Sequence, residues 1–328
     1  MVAGPLVVAF ALDDAQRTTA TEALDGAGDL ICLRELDDAG REAALRDAGA
    51  VLIWHTKQLK PHELALIGGA RLLQSMTAGV DFLQFSALPD GLAVASNGGA
   101  YAEPMAEHAL AMALAAAKRL LVEHAALGAG RFNQMVPNRM LAGGVCGIFG
   151  FGGIGVATAK LMRAMGMRIH AINRRGFTDA AVDWIGGLDQ LDTLLACADV
   201  LLISAPLTHT TRGLFDAAAL ARMKPDAILI NLARGELIDE AALFAHLQTH
   251  PGFTACIDAW WVEPARHGRF AMDRPFMTLP NVIGSPHNSA TVSAEWRLLA
   301  LRRAVENCRR ALLGEAPWFL VRDEEKLA

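Results

Sequence analysis

Most of the features that place a chain in a special class are missing here. The five cysteines, Cys32, Cys146, Cys197, Cys256 and Cys308, are odd in number and show no CxxC or CxxH spacing, which argues against a disulfide framework and against a zinc site. There is no basic excess: 30 Lys and Arg stand against 35 Asp and Glu, a formal net charge of -5. Such a chain has no field with which to hold a polyanion, so nucleic acid is not an expected partner. No apolar run reaches the roughly 20 residues of a membrane span. Even Ala106 to Leu121 is interrupted by Glu107, His108, Lys118 and Arg119. The apolar start of the chain has no basic segment ahead of it and runs straight into Asp13 and Asp14, so Leu6 to Leu12 reads as a buried strand rather than a secretion signal. Internal repeats and low-complexity tracts are also lacking. The expectation is a cytoplasmic chain with no membrane partner and no metal.

What is present is enough apolar sequence for two cores: 328 residues, 53% hydrophobic and 20% charged, is too long for one ordinary domain and far from the composition of disorder. Short apolar runs alternate with helical patterns, as in a parallel sheet with crossover helices. In the first hundred residues the runs are Leu6–Leu12, Leu30–Leu33, Ala50–Trp54, Leu72–Met76 and Ala93–Ser96. Tyr101–Ala126 then reads as one long helix. A second series follows: Val145–Phe149, Arg168–Ile172, Val200–Ser204, Ala227–Leu232, Thr254–Ile257 and Val282–Ile283. Its spacing of about 20–30 residues fits βα repeats in a sheet of six or seven strands. Ala290–Leu313 is helical in composition and is expected to return to the first domain. The predicted architecture is α/β: two Rossmann-like or flavodoxin-like domains, each a doubly wound parallel sheet, with residues 1–98 and 291–328 forming a discontinuous substrate domain and 99–290 a dinucleotide-binding domain.

The dinucleotide assignment rests on Val145-Cys-Gly-Ile-Phe-Gly150-Phe-Gly152-Gly153-Ile154-Gly155, a GxGxxG directly after a strand and opening a helix. Gly150 permits the tight turn, Gly152 lets a pyrophosphate approach the backbone, and Gly155 lets helix and strand pack closely. Gly153 and Ile154 begin a helix whose free N–H groups and positive dipole end face the phosphates.

Three later segments each place an ionisable residue just beyond a strand, at the edge where a parallel sheet forms its crevice. They are Leu229-Ile-Asn-Leu-Ala-Arg234-Gly235, Asp258-Ala-Trp-Trp-Val-Glu263-Pro264 and Ser285-Pro-His287. Reduction of a 2-keto acid needs a cation that holds the carboxylate and polarises the carbonyl, which a guanidinium does with paired hydrogen bonds. It also needs a proton donor near neutral pH, which suits an imidazole, and a carboxylate that orients that imidazole. Arg234, His287 and Glu263 are the candidates.

A further absence concerns the cofactor. An NAD-selective site carries Asp or Glu about 20 residues past the glycines, on the ribose hydroxyls. The second strand ends here in Asn173-Arg174-Arg175. An amide does not repel a 2′-phosphate and an arginine can pair with one, so NADP is the expected cofactor, with NAD possible.

Taken together, GxGxxG, the Ala233-Arg234-Gly235 strand end, Asp258 through Glu263-Pro264 and Pro286-His287 match in order and approximate spacing. With Ala106-Glu107-His108, Pro206-Leu207-Thr208 and Ala78-Gly79-Val80-Asp81, the chain resembles the D-isomer-specific 2-hydroxyacid dehydrogenase family over nearly its whole length. The resemblance implies that Arg234 binds substrate, that His287 is the acid/base and that Glu263 pairs with it. It also implies that Asp258 contacts the nicotinamide end, that Pro206 belongs to the cofactor site, and that the backbone N–H groups of Ala78 and Gly79 receive the substrate carboxylate. Trp54, followed by His55, is similar to a pair in some glyoxylate/hydroxypyruvate reductases and is a candidate substrate contact. A homodimer formed through the nucleotide-binding domain is expected, with the apolar helix Ala106–Leu121 as its seat. The competing expectation is an NAD(H)-sensing binding protein of the same fold. Trp260 and Trp261 depart from the commoner form of their segment, and could crowd the pocket, meet a partner subunit or fill core.

Overall fold

The computed structural model describes residues 4–327, which fall into two compact units, one over Met1–Ala100 and Val292–Ala328 and the other over Tyr101–Thr291. In the first, strands β1 (Leu6–Val8), β2 (Leu30–Cys32), β3 (Ala50–Ile53), β4 (Leu72–Ser75) and β5 (Val94–Ala95) form a sheet of order β2-β1-β3-β4-β5 with every pairing parallel. Side chains alternate between its faces. Leu6, Val8, Leu52 and Leu72 pack with Leu301, Val305 and Cys308 of the helix Ala294–Leu312, while Val7, Val51, Ile53 and Leu73 pack with Leu45 and Ile67. The returning helix covers that face together with Ala20, Ala23 and Leu24 of an earlier helix. The first strand stops at Val8 rather than running to Leu12, since the chain must leave the sheet for Asp13 to cap the helix Asp14–Leu24 through the Gln16 N–H.

The second unit holds β6 (Val145–Phe149), β7 (Arg168–Ile172), β8 (Trp184–Gly186), β9 (Val200–Ile203), β10 (Ile228–Asn231), β11 (Thr254–Ile257) and β12 (Val282–Gly284), in the order β12-β11-β10-β9-β6-β7-β8. All pairings are parallel, and β6, β9 and β10 are buried throughout. The order reverses between β6 and β9, so the crevice for a ligand opens beyond the carboxyl ends of those two strands. The edge strand β8 is the member that no apolar run announces.

The expected single helix Tyr101–Ala126 is two helices, Ala102–Ala117 and Leu120–Gly128. Arg119 sits between them in a left-handed conformation, φ 53°. The Lys118 and Arg119 N–H groups close on the carbonyls of Leu114 and Ala116, and the Lys118 ammonium reaches the Arg139 carbonyl, so the charges that interrupt the apolar pattern terminate the helix. No helix among the described residues is long and apolar enough to cross a membrane.

Candidate active site

At the switch point, Gly150 follows β6 with φ +98°, and a Cβ there would lie 2.3 Å from the Ala205 nitrogen just past β9. Only glycine fits. Its N–H donates to the Ile172 carbonyl (3.0 Å) and its carbonyl accepts from the Ser204 hydroxyl (2.8 Å), tying the ends of β6, β7 and β9 together. Pro206 is exposed two residues beyond Ser204. The helix Gly153–Ala164 then begins without a side-chain cap, Gly152 and Gly153 are exposed, Ile154 is half-buried, and a Cβ on Gly152 would meet nothing within 4 Å. Open first-turn N–H groups over empty space suit a diphosphate, so these residues fit a dinucleotide. Gly155 packs against the Gly150 carbonyl, which a Cβ would approach to 2.6 Å.

Beyond β7, the Asn173 side chain is occupied in its own turn: its amide donates to the Phe177 carbonyl (2.8 Å) and its oxygen accepts the Arg175 N–H (2.9 Å). Asn173 therefore shapes the 173–177 turn, on which Arg174 and Arg175 are exposed.

Beyond β10, β11 and β12 lie Arg234, Glu263 and His287. The Asn231 side chain, buried at the end of β10, accepts the Ala233 N–H and donates to the Arg234 carbonyl, so it holds the backbone that carries the half-buried guanidinium. Gly235 lets this segment press against its neighbour, for a Cβ would come within 2.5 Å of backbone atoms of both Trp260 and Trp261. Glu263 is 5% exposed. Both its oxygens lie 2.8 Å from His287 Nδ1, and Oε1 also accepts the Trp260 N–H at 2.6 Å. A carboxylate can only accept, so Nδ1 carries a proton and Nε2 is left to exchange one. Burial alone would push the Glu263 carboxyl up. The hydrogen bond and charge of His287, the Trp260 N–H and the charge of Arg234 outweigh it and hold the group below its ordinary value.

His287 is itself left-handed, φ 48°, a conformation that costs a non-glycine residue roughly 1–2 kcal/mol. Its N–H donates to the Asp258 carbonyl, and the next two N–H groups, of Asn288 and Ser289, donate to the Asp258 carboxylate at 3.1 and 3.2 Å. The Ser285 hydroxyl donates to the same carboxylate in a short hydrogen bond. Asp258, expected at the nicotinamide end, is completely buried with its carboxylate on this turn. Burial pushes its carboxyl up, but hydrogen bonds from Ser285 and Ser289 and the charge of His287 leave it lowered. On its far side Ser285 Oγ meets His108 Nε2 at 3.1 Å. Sequence reading pointed to none of the work done by His108, Ser285 or Asn231, because 177 residues separate His108 from Ser285 and no local pattern joins them.

Trp260 is buried in the core and Trp261 is half-buried at its margin. Trp260 donates Nε1–H to the Ser285 carbonyl and packs on Phe270 and Phe276, while Trp261 donates to the Ile238 carbonyl and stacks on Phe276, with ring centroids 5.3 Å apart. One ring ties the Glu263 segment to the His287 segment, the other ties it to the Arg234 segment.

The remaining candidates belong to the unit Met1–Ala100 and Val292–Ala328. Ala78 and Gly79 follow β4 in a half-buried turn braced by Thr77, whose hydroxyl donates to the Gly79 carbonyl and meets the Ser75 hydroxyl at 2.8 Å. Trp54, just past β3, is 36% exposed and beside Phe10, with its N–H on the Gln58 side chain.

Known proteins share the sequence pattern and the fold of this chain. Residues 110–289 match the family model for the D-isomer specific 2-hydroxyacid dehydrogenase, NAD binding domain. The chain is 32% identical to a hydroxypyruvate reductase of Thermotoga maritima over 213 residues, 64% of this chain and 67% of that protein. It is 33% identical to glyoxylate/hydroxypyruvate reductase B of Enterobacter agglomerans over 252 residues, 75% of this chain and 76% of the relative. Among solved structures, a D-isomer specific 2-hydroxyacid dehydrogenase from Xanthobacter autotrophicus Py2, in complex with NADPH and MES, superposes with a TM-score of 0.78 at 27% identity, covering 98% of each chain.

Proposed function

The chain belongs to the D-isomer specific 2-hydroxyacid dehydrogenase family, a family of enzymes, and from that premise we propose that it is a cytoplasmic 2-ketoacid reductase of the glyoxylate/hydroxypyruvate type that prefers NADPH. The observation that carries the reading is the buried Glu263 carboxylate on His287 Nδ1, on neighbouring strand ends with Arg234. Arg234 holds the substrate carboxylate and draws charge onto the carbonyl oxygen. Glu263 keeps the His287 ring oriented and its Nδ1 protonated, and Nε2–H gives its proton to that oxygen as it becomes a hydroxyl. The nicotinamide supplies the hydride when bound. In the reverse direction Nε2 takes the proton from the hydroxy acid.

NADPH is favoured by Asn173, which brings no negative charge to the ribose, and by Arg174 and Arg175 on the same turn. The relatives' names, and the NADPH bound in the Xanthobacter autotrophicus structure, support the substrate class and the cofactor. The test is a steady-state panel of small 2-keto acids with each cofactor. Glyoxylate and hydroxypyruvate are expected to head the panel with NADPH; binding of either cofactor without turnover of any acid would leave a sensor instead.

A homodimer through the nucleotide-binding unit is part of the proposal, with its seat moved. Ala106, Ala109, Met112 and Ala113 of the expected helix are buried within the unit, whereas Leu120, Leu121 and Leu127 are exposed, and beyond them Phe132 is 77% and Met135 90% exposed. Apolar surface of that kind calls for a partner. Light scattering at micromolar concentration is expected to give twice the chain mass, reduced to the chain mass by Phe132→Glu with Met135→Glu; a monomeric parent would end the claim.

A further inference from the structure

His287 holds a left-handed backbone conformation that costs any residue with a Cβ, so the bonds around it must hold it there. The bonds that do so converge on Asp258: its carbonyl accepts the His287 N–H, and its carboxylate accepts the N–H groups of Asn288 and Ser289. A carboxylate with no exposed surface rotates to whichever donors are best placed, and two backbone donors leave part of its acceptor capacity unused. The Ser285 hydroxyl supplies the third donor. With its one O–H donated to Asp258, Ser285 Oγ can only accept from His108, which must therefore carry a proton on Nε2. His108 lies on the helix Ala102–Ala117, far from β12 in sequence and otherwise without a task in the reaction. Its ring is half-buried, and Nε2 is also within 3.9 Å of Asp258 Oδ1.

We infer that His108 and Ser285 are positioning residues: the chain His108 Nε2–H to Ser285 Oγ–H to the Asp258 carboxylate aims that carboxylate at the Asn288 and Ser289 N–H groups and so keeps the left-handed turn that presents His287 to Glu263. This rests on the reading of His287 as the acid/base. The chain acts on the orientation of the imidazole, so its loss lowers the rate of proton delivery more than it weakens binding of either ligand. Asp258 is accordingly a scaffold for the catalytic turn in addition to any contact with the cofactor.

The experiment compares Ser285→Ala, His108→Leu, His108→Gln and His287→Ala in the NADPH-loaded enzyme with glyoxylate, measuring kcat, KM, the NADPH Kd and Tm. Ser285→Ala and His108→Leu are expected to lower kcat by roughly tenfold or more, the scale of one hydrogen bond to a charged group, with KM and Kd within about twofold of the parent on the same reasoning. His108→Gln, whose amide can donate to Ser285, is expected to recover most of that loss. Parental kcat in Ser285→Ala and His108→Leu beside an inactive His287→Ala overturns the chain and leaves the acid/base assignment standing. An active His287→Ala overturns both. Equal losses in His108→Gln and His108→Leu, or losses shared by kcat, KM and Tm, mean that His108 serves packing and the inference is wrong. His108 is partly exposed and its replacement leaves Asp258 with Ser285, so the His108 pair decides the matter even where Ser285→Ala does not fold.

Discussion

Two turns at the carboxyl edge of the same sheet are built in opposite ways. The 285–289 turn is left-handed at His287, tied by three N–H groups and a hydroxyl to Asp258, and oriented through Glu263. The 173–177 turn is exposed at both arginines and is shaped by one amide, that of Asn173. A group that moves a proton must be held to fractions of an ångström, and burial with multiple bonds provides that. A group that attracts a phosphate needs charge near the surface and tolerates motion. The contrast predicts that changes in the first turn show as lost chemistry and changes in the second as lost preference.

The largest effect is expected at the rigid turn. His287→Ala should lower turnover by about 10²–10⁴-fold, the range for a lost general acid, while NADPH affinity stays near parental. Arg234→Ala should raise KM and lower kcat together. A His287→Ala enzyme with near-parental turnover at neutral pH would erase the difference between the two turns.

At the exposed turn, Arg174→Ala with Arg175→Ala should reduce the ratio of kcat/KM for NADPH over NADH by about 10–100-fold, as one or two charge-assisted hydrogen bonds imply. Tm should not move. An unchanged ratio, or a parent enzyme that already favours NADH, would remove the assignment of this turn to the 2′-phosphate.

The smallest effect expected is on the pH dependence of stability. The Glu263 carboxyl is lowered in the folded protein by His287, the Trp260 N–H and Arg234 against the effect of burial. Its charge therefore stabilises the fold fully above the ordinary carboxylate value of 4.5, and that stability is lost as pH falls through the lowered folded value. The Tm difference between the parent and Glu263→Gln should be largest at neutral pH and shrink as pH falls below 4.5. Arg175→Ala should show no such trend. A Glu263→Gln difference that stays constant as pH falls would mean that packing, and not charge, makes Glu263 important.

The legible part of this site lies immediately after a buried run. Gly150, Arg234 and His287 come just beyond β6, β10 and β12, so apolar periodicity by itself places each of them at the sheet edge. Four things were not legible. Strand β8 is three residues long and lies at an edge with two of them half-buried, so it has no apolar signature. The helix break at Arg119 depends on where Lys118 can reach, and Arg139 is 21 residues from Lys118. The link from His108 to Asp258 spans two elements brought together only by folding, and the two tryptophans gave no sign in sequence of the carbonyls they would find. Burial along one chain segment is written locally, but hydrogen bonds between segments are not.

Gly235 makes a last point about reading function from substitution data. It bears no side chain and touches no reacting atom, yet a Cβ would meet the backbone of Trp260 and Trp261 at 2.5 Å. No rotamer can relieve a collision with main chain, so even alanine must separate the Arg234 segment from the segment that carries Glu263. In a saturation library screened for turnover, position 235 should be as barren as position 287. The two would be told apart only by asking what survives: a soluble, cofactor-binding but idle protein at 287, and a distorted site with weakened substrate capture at 235. Intolerance to change would there record the closeness of two strands of backbone, and a screen that scored activity alone would mistake carpentry for chemistry.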